Sequence, residues 1–198
     1  MSIKQLRAAA VKDSVSRIEV IMSGGVDVPA LESAKQVMLE LCEKSDLFPR
    51  EDFPIPEEGL TERTFLIYQN NDGGYALYVN SGKPGQSSPP HDHGGSWAIV
   101  AAIDGEETHR LYVDEGSDIK AGVARVRQVT ELSVKPGTAV SMMPEGIHSI
   151  HAGEKPLLHL HLYGKSFETQ TERNEYDLEN AKVRRFVLED IGFVEDAR

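Results

Sequence analysis

Apolar positions along the chain follow two different spacings, and the change falls near residue 60. Ile3, Leu6, Ala10, Val11, Val15 and Ile18 recur at three- and four-residue steps, as one face of a helix requires. GGVDVP (Gly24–Pro29) interrupts the stripe, and a second follows at Leu31, Ala34, Val37, Met38, Leu41 and Cys42. Two amphipathic helices are expected there. From Arg63 to Tyr163 the spacing shortens to strand-sized runs: TFLIY, YALYVN, SWAIVAAI, HRLYV, ARVRQVTELSV, AVSMM and LLHLHLYG. Turn signals separate them (NNDGG, SGKPG, DGEE, KPG, PEG and AGEKP), with no helical run between. That pattern predicts an antiparallel sandwich or barrel. The tail from Thr169 is polar, and the spacing of Leu178, Ala181 and Val183 followed by RRFVLEDIGFV predicts a helix ending near Gly192. The expected organisation is one domain: a helical segment over 1–60 packed on a β-barrel over 61–168, with an extension over 169–198.

Composition narrows the function classes. The 198 residues carry 21 Lys and Arg against 32 Asp and Glu, a net charge of −11, which argues against nucleic acid or an anionic membrane as partner. The single cysteine excludes an internal disulfide, a zinc ribbon and a CxxC redox pair. Cys42 lies on an apolar helix face and reads as a small buried hydrophobe. Neither a membrane-spanning run nor a signal-peptide core is evident, so a reducing cytoplasm is the expected location. A monomer or small homo-oligomer is expected.

The histidines carry the chemistry. In His91-Asp92-His93, residues i and i+2 of an extended segment share a face, so both imidazoles point one way and Asp92 the other. Two imidazoles so held suit a first-row metal such as iron. Leu158-His159-Leu160-His161-Leu162-Tyr163 alternates strictly, which puts His159, His161 and Tyr163 on one face, lining a polar cavity, and three leucines on the other. His151 is expected to be exposed.

Gly85, His91 and His93, followed by Gly105, resemble the first signature of the cupin superfamily. Gly137 and the run Pro144-Glu145-Gly146-Ile147-His148 resemble the second. The resemblance spans Tyr75 to Tyr163 and implies a mainly β fold: a single cupin β-barrel, or double-stranded β-helix, with N-terminal helices and a C-terminal extension. It implies that His91, His93 and His148 surround one metal. Two departures stand out. The glutamate usual four or five residues after the second histidine is replaced by Trp97 and Ala98, and the asparagine usual four residues after the third is Ala152. Three neutral ligands would leave a divalent ion its full charge, which favours an anionic substrate such as a thiolate or enolate.

HDHGGSWAIV together with HLHLYG is similar to the thiol dioxygenases related to cysteine dioxygenase and 3-mercaptopropionate dioxygenase. That resemblance implies Fe(2+) as cofactor, a small thiol and O2 as substrates, and catalytic roles for Tyr163 and His161. His159 stands where those enzymes have serine. Ala98 stands where the animal enzymes have the cysteine that crosslinks to the tyrosine, so no crosslink can form. The resemblance also implies a carboxylate-binding arginine ahead of the HxH segment, with Arg63 the nearest candidate and Arg110, Arg125 and Arg127 the alternatives. The rival readings are another three-histidine cupin (a diketone-cleaving dioxygenase, or a zinc or manganese lyase or isomerase) and a metal-dependent ligand-binding cupin without turnover.

Overall fold

The computed structural model describes residues 1–186 and 194–198, and it is mainly β with two N-terminal helices. Helix α1 (Ile3–Met22) starts at a capping box in which Ser2 and Gln5 satisfy each other's backbone N–H. Asp27 caps α2 (Val28–Cys42), whose first turn holds Pro29, so that proline begins the second helix as well as ending the break before it. Val11, Val15 and Ile18 of the first stripe are buried, while Ile3 and Leu6 at its start stay exposed. Cys42 is buried, and desolvation pushes its thiol up to about 12.

Strands β1 (Glu62–Gln69), β2 (Ala76–Gly82), β3 (Ala98–Asp104), β6 (Ala139–Met142), β8 (Leu157–Tyr163) and β11 (Val194–Asp196) form a sheet in the order β11-β1-β2-β8-β3-β6. Strands β4 (Glu107–Asp114), β5 (Val126–Val134) and β7 (Ile147–Ala152) form a second sheet in the order β5-β4-β7. The central strand β8 shows why the helices are needed. Leu158, Leu160 and Leu162 belong to a core shared with Val15, Ile18, Met38 and Leu41 of the two helices. The opposite face of the same strand turns His159, His161 and Tyr163 into the space between the sheets. All seven residues of β8 are buried, because helices cover one face and the second sheet the other.

The tail departs from the helix expected after Thr169. It forms β9 (Asn174–Asp177) and β10 (Lys182–Arg185), an antiparallel pair around a turn that Asp177 closes by accepting from Asn180 N–H. Tyr176 and Val183 pack on Tyr112, Ala124 and Ile147 of the barrel, whereas Leu178 at the turn is exposed. Of the three apolar residues at helix-compatible spacing, Val183 alone is buried, on the hairpin face it shares with Tyr176, while Leu178 and Ala181 fall in the exposed turn, a tertiary override of local pattern. The remainder of the expected helix, residues 187–193, lies outside the described residues. No helix among the described residues is long and apolar enough to cross a membrane.

Candidate metal centre and substrate cavity

Two chain segments, the HxH run and β7, bring His91, His93 and His148 together. His91 and His148 form a backbone bridge, His91 N–H donating to His148 C=O over 2.8 Å and His148 N–H returning to His91 C=O over 3.0 Å. The HxH segment is extended but belongs to none of the named strands, a difference from the expected strand position. It ends at Gly94 and Gly95, with φ of 60° and 72°, a turn that excludes most side chains. A Cβ on Gly94 would also stand 3.1 Å from the Arg173 backbone nitrogen and from the Gln170 carbonyl, so this turn lets the tail come close.

The ring nitrogens converge. His148 Nε2 lies 3.1 Å from His91 Nε2 and 3.2 Å from His93 Nε2. Ligands at right angles on an ion about 2.1 Å away stand about 3 Å apart, so this spacing fits one first-row cation. The tautomers fit as well. His91 Nδ1 lies 3.0 Å from the Pro89 carbonyl and donates to it, which leaves the Nε2 lone pair free. His148 Nδ1 lies 2.9 Å from His109 Nδ1, and His109 Nε2 lies 2.7 Å from Glu107 Oε1. With His148 Nε2 as ligand its Nδ1–H donates to His109, whose Nε2–H then donates to the Glu107 carboxylate. Desolvation, reinforced by the Arg173 charge, pushes His91 down to about 3 and His93 well below its ordinary value. Desolvation and the neighbouring histidines do the same to His148. All three rings are therefore neutral near pH 7, the form that binds metal.

Asp92 faces away, as expected from its place in HxH, and clasps the tail. Its carboxylate accepts from Asn174 Nδ2 at 2.7 Å and from the Tyr176 hydroxyl at 3.1 Å. That clasp fixes Arg173, one residue before Asn174, at the wall of a cavity of about 550 Å³. The cavity is also lined by His91, His148, His159, His161 and Tyr163. Arg173 is buried, with its guanidinium carbon 5.5 Å from the Phe167 ring centre and 4.9 Å from that of Phe186. Its Nη1 bonds Gln170 over 3.3 Å, its Nε has no partner, and no carboxylate among the described residues pairs with it. Arg63 lines the cavity too, but Nε and Nη2 each reach a different oxygen of Glu195 at 2.7 Å, a bidentate pair that already satisfies its fork. Of the alternative arginines, Arg110 pairs with Glu131 and Arg127 with Glu115 on exposed surface, and Arg125 reaches the Gly116 carbonyl.

Tyr163 lies against the metal group, its ring 5.4 Å from that of His93 and its hydroxyl 3.2 Å from His161 Nδ1. Burial pushes the Tyr163 phenol above its ordinary value, against the pull of Arg173, so it keeps its proton. His161 is pushed down to about 3 by desolvation and stays neutral. Ala98 is the cross-strand partner of Tyr163, the place a crosslinking cysteine would need to occupy. His151 is exposed. Glu107, His109 and Arg173 form part of this site and escaped the sequence reading. The usable signal for the first two was ETH, where alternation puts Glu107 and His109 on one face of a strand.

No family model and no curated protein matches the sequence. Solved structures do resemble the fold. A double-stranded β-helix protein from Klebsiella pneumoniae aligns at 16% identity over 60% of this chain and 89% of its own, with a TM-score of 0.44. Hydroquinone 1,2-dioxygenase from Sphingomonas sp. TTNP3 aligns at 13% identity over 58% of this chain and 72% of its own, with a TM-score of 0.44. An oxalate oxidase aligns at 14% identity over 64% of this chain and 61% of its own, also at 0.44. Likeness at this level carries no argument about activity, which has to be argued from this chain's own side chains.

Proposed function

We propose that the protein is an iron(II)-dependent thiol dioxygenase that converts a small mercapto-carboxylic acid and O2 to the sulfinate. The observation that carries the reading is one cavity with three convergent neutral imidazoles at its wall, a protonated tyrosine beside them and a buried arginine that no carboxylate among the described residues pairs. Iron(II) held by His91, His93 and His148 would supply redox flexibility and open positions for small ligands. In the overall reaction both atoms of O2 end on sulfur, which supplies all the electrons the oxygen takes up. The thiol proton is the one displaced, and no further reductant is required.

This chain's residues supply binding and proton management. Arg173 receives the substrate carboxylate, its unpartnered Nε and remaining N–H groups offering the planar fork that such a group fits. Arg63 has that capacity committed to Glu195. With His161 Nδ1–H donating to the Tyr163 oxygen, the Tyr163 O–H is turned to donate into the cavity. Phe167 and Phe186 shield the guanidinium from water and strengthen its hold on an anion.

Oxygen uptake by the Fe(II)-loaded protein tests the reading against cysteine, 3-mercaptopropionate, mercaptosuccinate and cysteamine. Saturable uptake with a carboxylate-bearing thiol, absent in His91→Ala, is the expected result. No uptake with any of them overturns it and leaves diketone cleavage, or zinc- and manganese-dependent chemistry, as the classes to test next.

A further inference from the structure

A second group of donors shares the cavity with the three-histidine group. Glu107 on β4, and His159 and His161 on β8, are all buried, and one donor atom from each lies within 4.8 Å of the others. His159 Nδ1 stands 3.0 Å from Glu107 Oε1, the separation of two adjacent ligands on one first-row ion. His159 is 1% exposed; its Nδ1 has the Glu107 carboxylate as ion-pair partner, but its Nε2 makes no hydrogen bond. A buried polar nitrogen without a partner is rare enough to ask for a reason.

A further oxygen belongs to the same cavity wall. Asn80 on β2 is the cross-strand partner of His159, and its Oδ1 is buried without a hydrogen bond. Opposed residues on adjacent strands project from the same face about 5 Å apart, and both residues line the cavity. His161 Nδ1 is turned to Tyr163, which leaves its Nε2 as donor. His109 Nε2–H donates to Glu107 Oε1 and fixes the carboxylate, as groups behind metal ligands do. The ion-pair partners of Glu107 among the described residues are the imidazoles of His109 and His159, and no lysine or arginine reaches it.

We infer that Glu107, His159 and His161 form a second metal site, taking a divalent first-row cation with Asn80 Oδ1 as an additional oxygen donor. Two imidazoles and a carboxylate suit such an ion, and its charge balances a carboxylate otherwise enclosed by imidazoles. The inference is independent of the thiol dioxygenase reading, since it concerns a different set of ligands and predicts a metal count.

Metal content settles it. The protein is stripped with a chelator, equilibrated with Zn(II) or Co(II), freed of loosely held ion on a desalting column and assayed for bound metal. Wild type should retain two equivalents, and Glu107→Gln and His159→Asn one each. His91→Ala should also retain one, held by the second group, and His91→Ala/Glu107→Gln none. Glu107→Gln preserves shape, and thermal melting of every variant shows that each is folded. One equivalent in wild type together with none in His91→Ala would overturn the inference. So would two equivalents that survive both Glu107→Gln and His159→Asn, since the second ion would then be bound elsewhere.

Discussion

His91, His93 and His148 meet as three neutral imidazoles, whereas Glu107, His159 and His161 in the same cavity meet as two imidazoles and a carboxylate. The first set brings no charge of its own and leaves a bound cation free to attract an anion. The second carries its counter-charge within it and has less to offer an anionic substrate. His109 couples them, touching His148 on one side and Glu107 on the other. The comparison teaches that ligand charge, more than ligand count, sets what each half of the cavity can do.

The largest effect should come from His148→Ala. It removes a first-group ligand and strands His109 Nδ1, so activity should vanish and the metal content should drop by one equivalent while the second group keeps its ion. Loss of both ions would show that the two groups are one cooperative unit. Next, His109→Phe keeps all three ligands but removes the acceptor for His148 Nδ1–H. First-group metal affinity should weaken by about 10- to 100-fold, read by competition with a chromophoric chelator. An unchanged affinity would make His109 a packing residue.

Arg173→Gln should raise KM for a mercapto-acid by about 10- to 100-fold, the worth of a charge-assisted hydrogen bond, and leave that for a neutral thiol nearly unchanged. Arg63→Gln should change both by less than about threefold. A reversal of this pair would return the carboxylate to Arg63.

The smallest effect is a pH slope in the metal-free protein. His91 and His161 are held near 3 in the fold against an ordinary 6.5, so between those values the unfolded chain binds protons that the folded chain refuses. Stability is therefore full above about pH 6.5 and falls as pH drops toward 3, by up to ~1.4 kcal/mol per pH unit for each such histidine. Chemical denaturation at pH 7.5 and 5.5 measures the slope, which should shrink in His161→Gln. A flat profile would mean these rings titrate freely in the fold.

Legibility in the sequence followed periodicity. The stripe from Leu31 to Cys42 and the alternation from Leu158 to Tyr163 are local, and both faces of β8 lie where the two-residue period puts them. The HxH segment was readable because its spacing alone sets two rings on one side. Arg173 was not, because its place depends on Asp92 clasping Asn174 from 82 residues away. Glu107 and His109 sit in an ordinary strand and acquire meaning only when β4 meets β8 and His148. Leu178, Ala181 and Val183 suited helix and hairpin alike, and packing of Tyr176 and Val183 on the barrel decided the matter.

The central claim, that the three-histidine group oxidises a thiol with both atoms of dioxygen, is tested most directly by turnover under labelled O2. Fe(II)-loaded protein, a mercapto-acid and doubly labelled dioxygen should yield a sulfinate carrying two labelled oxygens, with none formed by His148→Ala. An unlabelled or singly labelled product, or the disulfide in place of the sulfinate, would contradict it.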